Sequence, residues 1–331
     1  MTKRVAINGL GRIGRATLKI IHETPGLELV AVNDIAPSDN LAYLVRYDTV
    51  YGRYGTEVRS DGDTLVIDEA RYRVLNEKNP GQLPWRGMGV DLVFECTGVF
   101  TKREDLEKHL QAGAKQVILS APAKGEGVPF VVYGANAVEG EPIVSCASCT
   151  TNCITPVIEV FGRRIGLRKA VMTTIHAYTI SQAVVDTPAS KWRRGRAAAA
   201  NFVPTTTGAA KATAKVLPDY AGKFDGVAIR GPVAVGSIVD ITIVSERPTS
   251  VEEVNGIFEE EAGSERYDGV IGVTHDPIVS SDVIRDPRAS IVDLTMTQVV
   301  DGDLVKIMSW YDNEWGYAAQ MVREALHMVA R

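Results

Sequence analysis

Three of the chain's four cysteines fall within nine positions of the stretch SCASCTTNCITPV, residues 145–157. Such a cluster serves a metal, a redox pair or a nucleophile. Cys146, Cys149 and Cys153 have C-x2-C and C-x3-C spacing, but structural zinc takes four ligands. The fourth cysteine, Cys96, lies on a distant strand, so no metal is expected. A thioredoxin-like C-x-x-C sits in another context. The nucleophile fits best: SCTTNCITPVIEVF reads as a strand end entering a helix, with Cys149 at its N-terminus. The helix dipole and free N–H groups there favour a thiolate. Cys153, one turn on, reads as packing. Cys149 still needs a base, and of His22, His109, His176, His275 and His327 only His176 sits inside a strand flanked by threonines, in TTIHAYT. A lone strand histidine is ordinarily a satisfied core residue; the nucleophile makes this one the candidate partner.

A second constellation is GLGRIG, Gly9 to Gly14. The pattern G-x-G-x-x-G means little alone. Here it follows a strand, opens a helix, and Asp34 ends the next strand twenty residues beyond Gly14. In that setting it is a dinucleotide fingerprint, with the pyrophosphate at a helix N-terminus. Asp34 would accept hydrogen bonds from the adenosine ribose and repel a 2′-phosphate. The bland alternative is a glycine turn with no ligand.

These groups need a scaffold. The chain has 331 residues, 45% hydrophobic and 23% charged, which suits two domains. Its net charge of −5 gives no case for nucleic acid or membrane surfaces. No apolar run reaches about 18 residues, and four cysteines are no disulfide framework, so a cytoplasmic protein is expected. The first half alternates short apolar strands (KRVAIN, LELVAVND, VDLVFECTG, KQVILSAPA, PIVSCAS) with helical patterns, implying a parallel, doubly wound sheet. The second half carries period-2 patterns in KAVMTTIHAYT, GVAIRGPVAVGSIVDITIVSE and DLVKIMSWYDNEWG, typical of antiparallel strands. The fold class expected is α/β: a Rossmann-type domain over 1–149, then an α+β catalytic domain over 150–313. The helix of 314–331 is expected to return to the first domain.

Together AINGLGRIGR, ECTGVFT, HLQAGAKQVILSAPA, SCTTNC, TTIHAYT, VPTTTGAAKA and WYDNEWGY resemble the phosphorylating glyceraldehyde-3-phosphate dehydrogenases, collinearly from residue 3 onward. The resemblance implies NAD as cofactor, glyceraldehyde 3-phosphate and inorganic phosphate as substrates, and a homotetramer. Cys149 would form a thiohemiacetal and then a thioester, His176 would move the proton, and phosphate would release 1,3-bisphosphoglycerate. It assigns Thr179 and Arg230 to the C3 phosphate, and Ser148, Thr150, Arg193, Thr207 and Gly208 to inorganic phosphate. Arg194 and Arg196 read instead as a solvated or inter-subunit loop. Arg12, Ile13, Lys78, Thr97, Gly98 and Ser120 join Gly9, Gly11, Gly14 and Asp34 on the cofactor. Asn313 would meet the nicotinamide amide and Tyr317 would limit the ring's motion.

The chain departs from the family pattern in four places. Cys146 replaces an asparagine, Ile180 and Ser181 replace a pair ending in aspartate, GPVAVGS (231–237) replaces VPTPNVS, and Thr187 precedes Pro188 where leucine is usual. The last leaves some NADP use open. Cys146 reads as filler at a strand end, or as a thiol able to resolve oxidised Cys149. The nearest rival function is erythrose-4-phosphate dehydrogenase, against which the intact TTTGAAKA stands. A catalytically silent NAD-binding regulator would have no need of Cys149, His176 and two arginine pockets together.

Overall fold

The computed structural model describes residues 2–330. They divide into two compact units: residues up to Val131 with Val138–Ala147 and those from Met321 on, and Val132–Ala137 with Ser148–Gln320.

The first unit is built on an eight-stranded sheet. Across it run Ile143–Ser145, Gln116–Leu119, Leu92–Glu95, Lys3–Asn8, Leu27–Asn33, Ala70–Leu75, Thr64–Ile67 and Val58–Asp61. Neighbours are parallel from Ile143–Ser145 through Ala70–Leu75. LVFE (92–95) is buried at every position, as a strand covered on both faces must be. The last two strands pair antiparallel and extend the sheet beyond the expected ones. Strand order reverses between Lys3–Asn8 and Leu92–Glu95, the crevice where open α/β sheets bind ligands. Helix Arg12–Glu23 opens on Gly11 with no side-chain cap, so its first N–H groups remain available to an anion.

The second unit carries another eight-stranded sheet, whose inner strands are Phe224–Gly231, Leu167–Ala177, Ser237–Ser245 and Leu304–Tyr311. Ser237–Ser245 alternates buried and half-buried residues, as period-2 sequence dictates. Helices Cys149–Arg164 and Val251–Ala262 pack on this unit's core through Ile154, Val157, Phe161, Val254 and Phe258, with Met172, Ile241 and Ile307 from the strands. Alternation predicted antiparallel pairing, yet Leu167–Ala177 runs parallel to Phe224–Gly231. The long connection between them, with helix Ala209–Val216, supplies the crossover that parallel neighbours need. That exception brings His176 and Arg230 into register. The helix Trp315–Ala330 begins in the second unit and, from Met321, belongs to the first.

Candidate active site

Cys149 is the first residue of helix Cys149–Arg164, and the Ser148 hydroxyl caps that helix by accepting the Thr151 N–H at 3.2 Å. His176 stands near the end of its strand, with Nε2 3.3 Å from Cys149 Sγ. Its register partner on the parallel neighbour is Arg230, and partners at one register share a face. Arg230 Nη1 lies 2.5 Å from His176 Nδ1 and 2.9 Å from the Ala177 carbonyl. A guanidinium only donates, so Nδ1 accepts and the ring's proton sits on Nε2, facing sulfur. Nδ1 also lies 2.7 Å from the Ala177 carbonyl oxygen, which would receive its proton in the other tautomer.

The electrostatics at Cys149 hold opposing contributions. Burial pushes the Cys149 thiol above its ordinary value, although Arg230's charge and hydrogen bonds from Thr150 and Cys149's own N–H pull it down. Desolvation of the sulfur opposes the thiolate that the helix N-terminus favours. Burial, then Arg230's charge, drive His176 down to about 3 against the Ala177 carbonyl. Burial thus works against charge on both members of the pair. Arg230 Nε is buried with no partner, an orphaned donor of the kind an anion satisfies.

The sequence did not single out Tyr311. Its buried phenol joins the hydroxyls of Thr150 and Thr174, each at 2.9 Å, and its ring meets His176 edge-on at 5.9 Å. Thr150's hydroxyl is thus committed beside the nucleophile. Cys153 is packing, with its thiol pushed up to about 12 by burial. Cys146 is buried in the first unit, and burial raises its thiol well above the ordinary value. Such a thiol is a poor resolving nucleophile, which favours the filler reading.

Around this pair lie the anion candidates. Thr179 shares a hydrogen bond with Ser181, 2.9 Å between hydroxyls, and Arg194 Nη1 donates to Ser181 at 3.2 Å. Arg194 Nε reaches the Thr205 hydroxyl at 3.0 Å, and its charge acts on both His176 and Arg230. Arg193, to which the sequence reading gave the inorganic phosphate, is exposed, and its side chain has no hydrogen bond or ion pair among the described residues. The two neighbours on the short helical turn Trp192–Gly195 thus differ: Arg194 meets Ser181 and Thr205, and Arg193 is exposed. Thr207 and Gly208 lie at the start of helix Ala209–Val216, where the Thr207 hydroxyl accepts the Ala209 N–H at 3.2 Å. Asn313 Oδ1 accepts from the Gly236 N–H and the Ser237 hydroxyl, leaving its NH2 end to face an acceptor. Ser237 also accepts the Ala177 N–H at 3.1 Å, so the divergent 231–237 segment braces the site. Tyr317 is buried.

In the first unit a cavity of about 380 Å³ is lined by Gly9, Gly11, Asp34, Lys78 and Thr97, among others. Gly9 has φ +95° and a Cβ there would sit 2.7 Å from Thr97 N; a Cβ on Gly14 would strike the Gly9 carbonyl at 1.9 Å. Nothing lies within 4 Å of a Cβ on Gly11, which leaves the space a pyrophosphate needs. Asp34 accepts the Leu10 and Ala36 N–H groups, one on each oxygen. Arg12 turns to Asp48, 2.5 Å away, leaving its backbone at the helix start. Ile13 follows in the first helical turn, Gly98 is exposed at φ +70°, and Ser120 donates its N–H to the Glu95 carbonyl. These residues fit a dinucleotide. Among the described residues no group of histidine, cysteine or carboxylate side chains could hold a metal, and no helix is long and apolar enough to cross a membrane.

Comparison with known proteins gives concordant results. The family described as glyceraldehyde 3-phosphate dehydrogenase, NAD binding domain, matches residues 3–103, and its C-terminal domain matches 148–313. A glyceraldehyde-3-phosphate dehydrogenase of Thermotoga maritima is 49% identical over 324 residues, 96% of this chain and 97% of that one. One from Streptomyces coelicolor is 46% identical over 97% of each chain, and one from Geobacillus stearothermophilus 44% identical over 100% of this chain and 99% of its own.

Proposed function

The chain belongs to the glyceraldehyde-3-phosphate dehydrogenase family, and from that premise we propose how its own residues carry out the NAD-dependent oxidation of glyceraldehyde 3-phosphate. The observation that carries the proposal is the 3.3 Å contact between Cys149 Sγ and His176 Nε2, with Arg230 on the ring's other nitrogen.

The substrate's phosphate is held by Arg230 and Thr179, satisfying the orphaned Arg230 Nε. Drawing the guanidinium to the phosphate releases Nδ1, which then donates to the Ala177 carbonyl and leaves Nε2 free to accept. Cys149 passes its proton through Nε2 as sulfur attacks the aldehyde carbon, and the proton ends on the thiohemiacetal hydroxyl. The Cys149 N–H at the helix start stabilises the developing oxyanion. NAD, which Gly9, Gly11, Arg12, Ile13, Gly14 and Asp34 would hold, would supply the hydride acceptor. His176 takes the hydroxyl proton in that step, and a thioester remains on Cys149. Inorganic phosphate, held by Arg194, Thr207 and Gly208, attacks the thioester and releases the acyl phosphate. Ser148 serves as the helix cap and Thr150 orients the nucleophile through Tyr311, rather than both lining the phosphate pocket.

The NH2 of Asn313 meets the nicotinamide carboxamide, and Tyr317 restricts that ring. Asp34 meets the adenosine ribose and sets the preference for NAD over NADP, while Lys78, exposed on the cavity rim, contributes on the adenosine side. The enzyme works as a homotetramer: Ile180, Val184, Val185, Trp192 and Phe202 are large apolar side chains exposed within one short stretch of chain. We place it in the cytoplasm, in keeping with four unpaired cysteines.

The test is an absorbance assay at 340 nm with and without phosphate. One equivalent of NADH per site followed by a stall is expected without phosphate. Sustained turnover under that condition would refute phosphorolysis.

A further inference from the structure

Six buried or half-buried polar side chains of the first unit form one hydrogen-bonded network around Glu95, which the chemistry above does not use. Asn8 and Glu95 are register partners on Lys3–Asn8 and Leu92–Glu95, at the reversal of strand order, and Asn33 is Asn8's partner on the other side. Glu95, His109 and Trp85 are wholly buried.

The direction of every bond follows from Trp85. An indole N–H only donates, and it meets His109 Nδ1 at 3.0 Å. Nδ1 therefore accepts, and the ring's proton lies on Nε2, 3.1 Å from Glu95 Oε2. Asn8 Nδ2 donates to the same oxygen at 2.5 Å. Glu95 Oε1 accepts the Thr97 N–H at 2.8 Å and the Thr97 hydroxyl at 2.5 Å. Asn8 Oδ1 is then left to accept from Asn33 Nδ2 at 2.7 Å. Asn33 is held in turn by Glu77, accepting its N–H and donating to its carbonyl, both at 2.9 Å. Every link between side chains points toward Glu95, the one member that only accepts. Asn8, Asn33, Glu77 and Thr97 are walls of the 380 Å³ cavity.

We infer that Glu95 is a positioning residue for the dinucleotide: it touches no ligand itself but fixes the fingerprint strand, the Asn33–Glu77 wall and the Thr97 turn at one spacing. This rests on the reading of the cavity as the NAD site. A glutamine cannot substitute. Its NH2 at the Oε1 position faces the fixed Thr97 N–H; at the Oε2 position it faces Asn8 and His109. Turning His109 to its other tautomer sets an Nδ1–H against the Trp85 N–H.

The experiment uses the full-length enzyme and compares wild type, Glu95→Gln, Thr97→Val and the double variant. NAD affinity is measured by calorimetry and both Michaelis constants by assay. Glu95→Gln should weaken NAD binding and raise its KM about tenfold, the scale for a buried donor that loses its acceptor. Its kcat at saturating NAD should stay within about twofold of wild type, and the aldehyde KM should not move. Because Glu95 acts in part through Thr97, the double variant should lose less NAD affinity than the sum of the two single losses. Wild-type affinity in a folded Glu95→Gln, additive losses in the double variant, or parallel loss of kcat and of both Michaelis constants overturns the inference. If Glu95→Gln does not fold, Trp85→Phe decides, with weakened NAD binding at unchanged kcat supporting the inference and wild-type binding overturning it. Failure of the wild type itself to bind NAD would instead overturn the assignment of the cavity.

Discussion

His109 in the first unit and His176 in the second are both buried, each with a different partner on either ring nitrogen. His109 lies between Trp85, which only donates, and the Glu95 oxygens, which only accept donors. Its proton has one place to be. His176 lies between Cys149 and a nitrogen contested by Arg230 and the Ala177 carbonyl. Its proton has two, and the choice turns on where Arg230 goes. The same side chain is fixed in one setting and poised in the other. Settled pairing gives a rigid wall; unsettled pairing, with an orphaned Arg230 Nε and two perturbed groups, marks a site whose partners arrive as ligands.

The comparison breaks most sharply at the nucleophile. Cys149→Ser should bring aldehyde oxidation below detection while NAD binding, measured by calorimetry, stays close to wild type, since an alcohol gives no thioester. His176→Asn should lower kcat about 10²–10⁴-fold in steady-state assays. His109→Gln leaves the reacting atoms untouched and should spare the chemical step, measured as the NADH burst at saturating NAD. If it costs as much as His176→Asn, the distinction between the two histidines fails.

A smaller effect should separate the two anion pockets. Arg230→Ala is expected to raise the aldehyde's KM, and Arg194→Ala that of phosphate, each by about tenfold or more, as loss of a charge-assisted bond predicts. Arg193→Ala should change neither. A phosphate KM that follows Arg193 rather than Arg194 would return the assignment to the sequence reading.

The pH dependence of stability sharpens the contrast further. His176 is held neutral in the fold, with its value lowered to about 3 from the ordinary 6.5. Its contribution is fully present above pH 6.5 and is lost as pH falls from there toward 3, because the unfolded chain takes up the proton first. Denaturant unfolding between pH 7 and 4 should give a shallower decline for His176→Asn than for wild type. Smallest of all, Asp34→Gly should narrow the preference for NAD over NADP by about tenfold or less, read as the ratio of kcat/KM values. Loss of one unfavourable charge contact is worth no more at a partly exposed site.

Much of this was legible along the chain. GLGRIG with Asp34, and a cysteine at a strand-to-helix junction, are local patterns whose geometry follows from a few consecutive residues. Local pattern does not reach side-chain contacts on one turn: Arg193 and Arg194 are equivalent as letters, and only the fold shows that Arg194 is the one that meets Ser181 and Thr205. Nor does it reach desolvation at Cys149, since a helix end is visible in sequence and the surroundings of the sulfur are not.

The sequence by itself determined the α/β class, the fingerprint turn, the identity of the nucleophile and the family's chemistry, because each depends on residue types at short spacing. Tertiary structure alone decided which groups the nucleophile meets and in what protonation state. Arg230 stands beside His176 because two strands distant in the chain pair in parallel, against the antiparallel expectation. Tyr311 reaches Thr150 across 161 residues of sequence, and Asn8 reaches Glu95 across 87. Proton positions in both clusters follow from those long-range contacts, since a ring nitrogen donates or accepts according to what the fold puts opposite it.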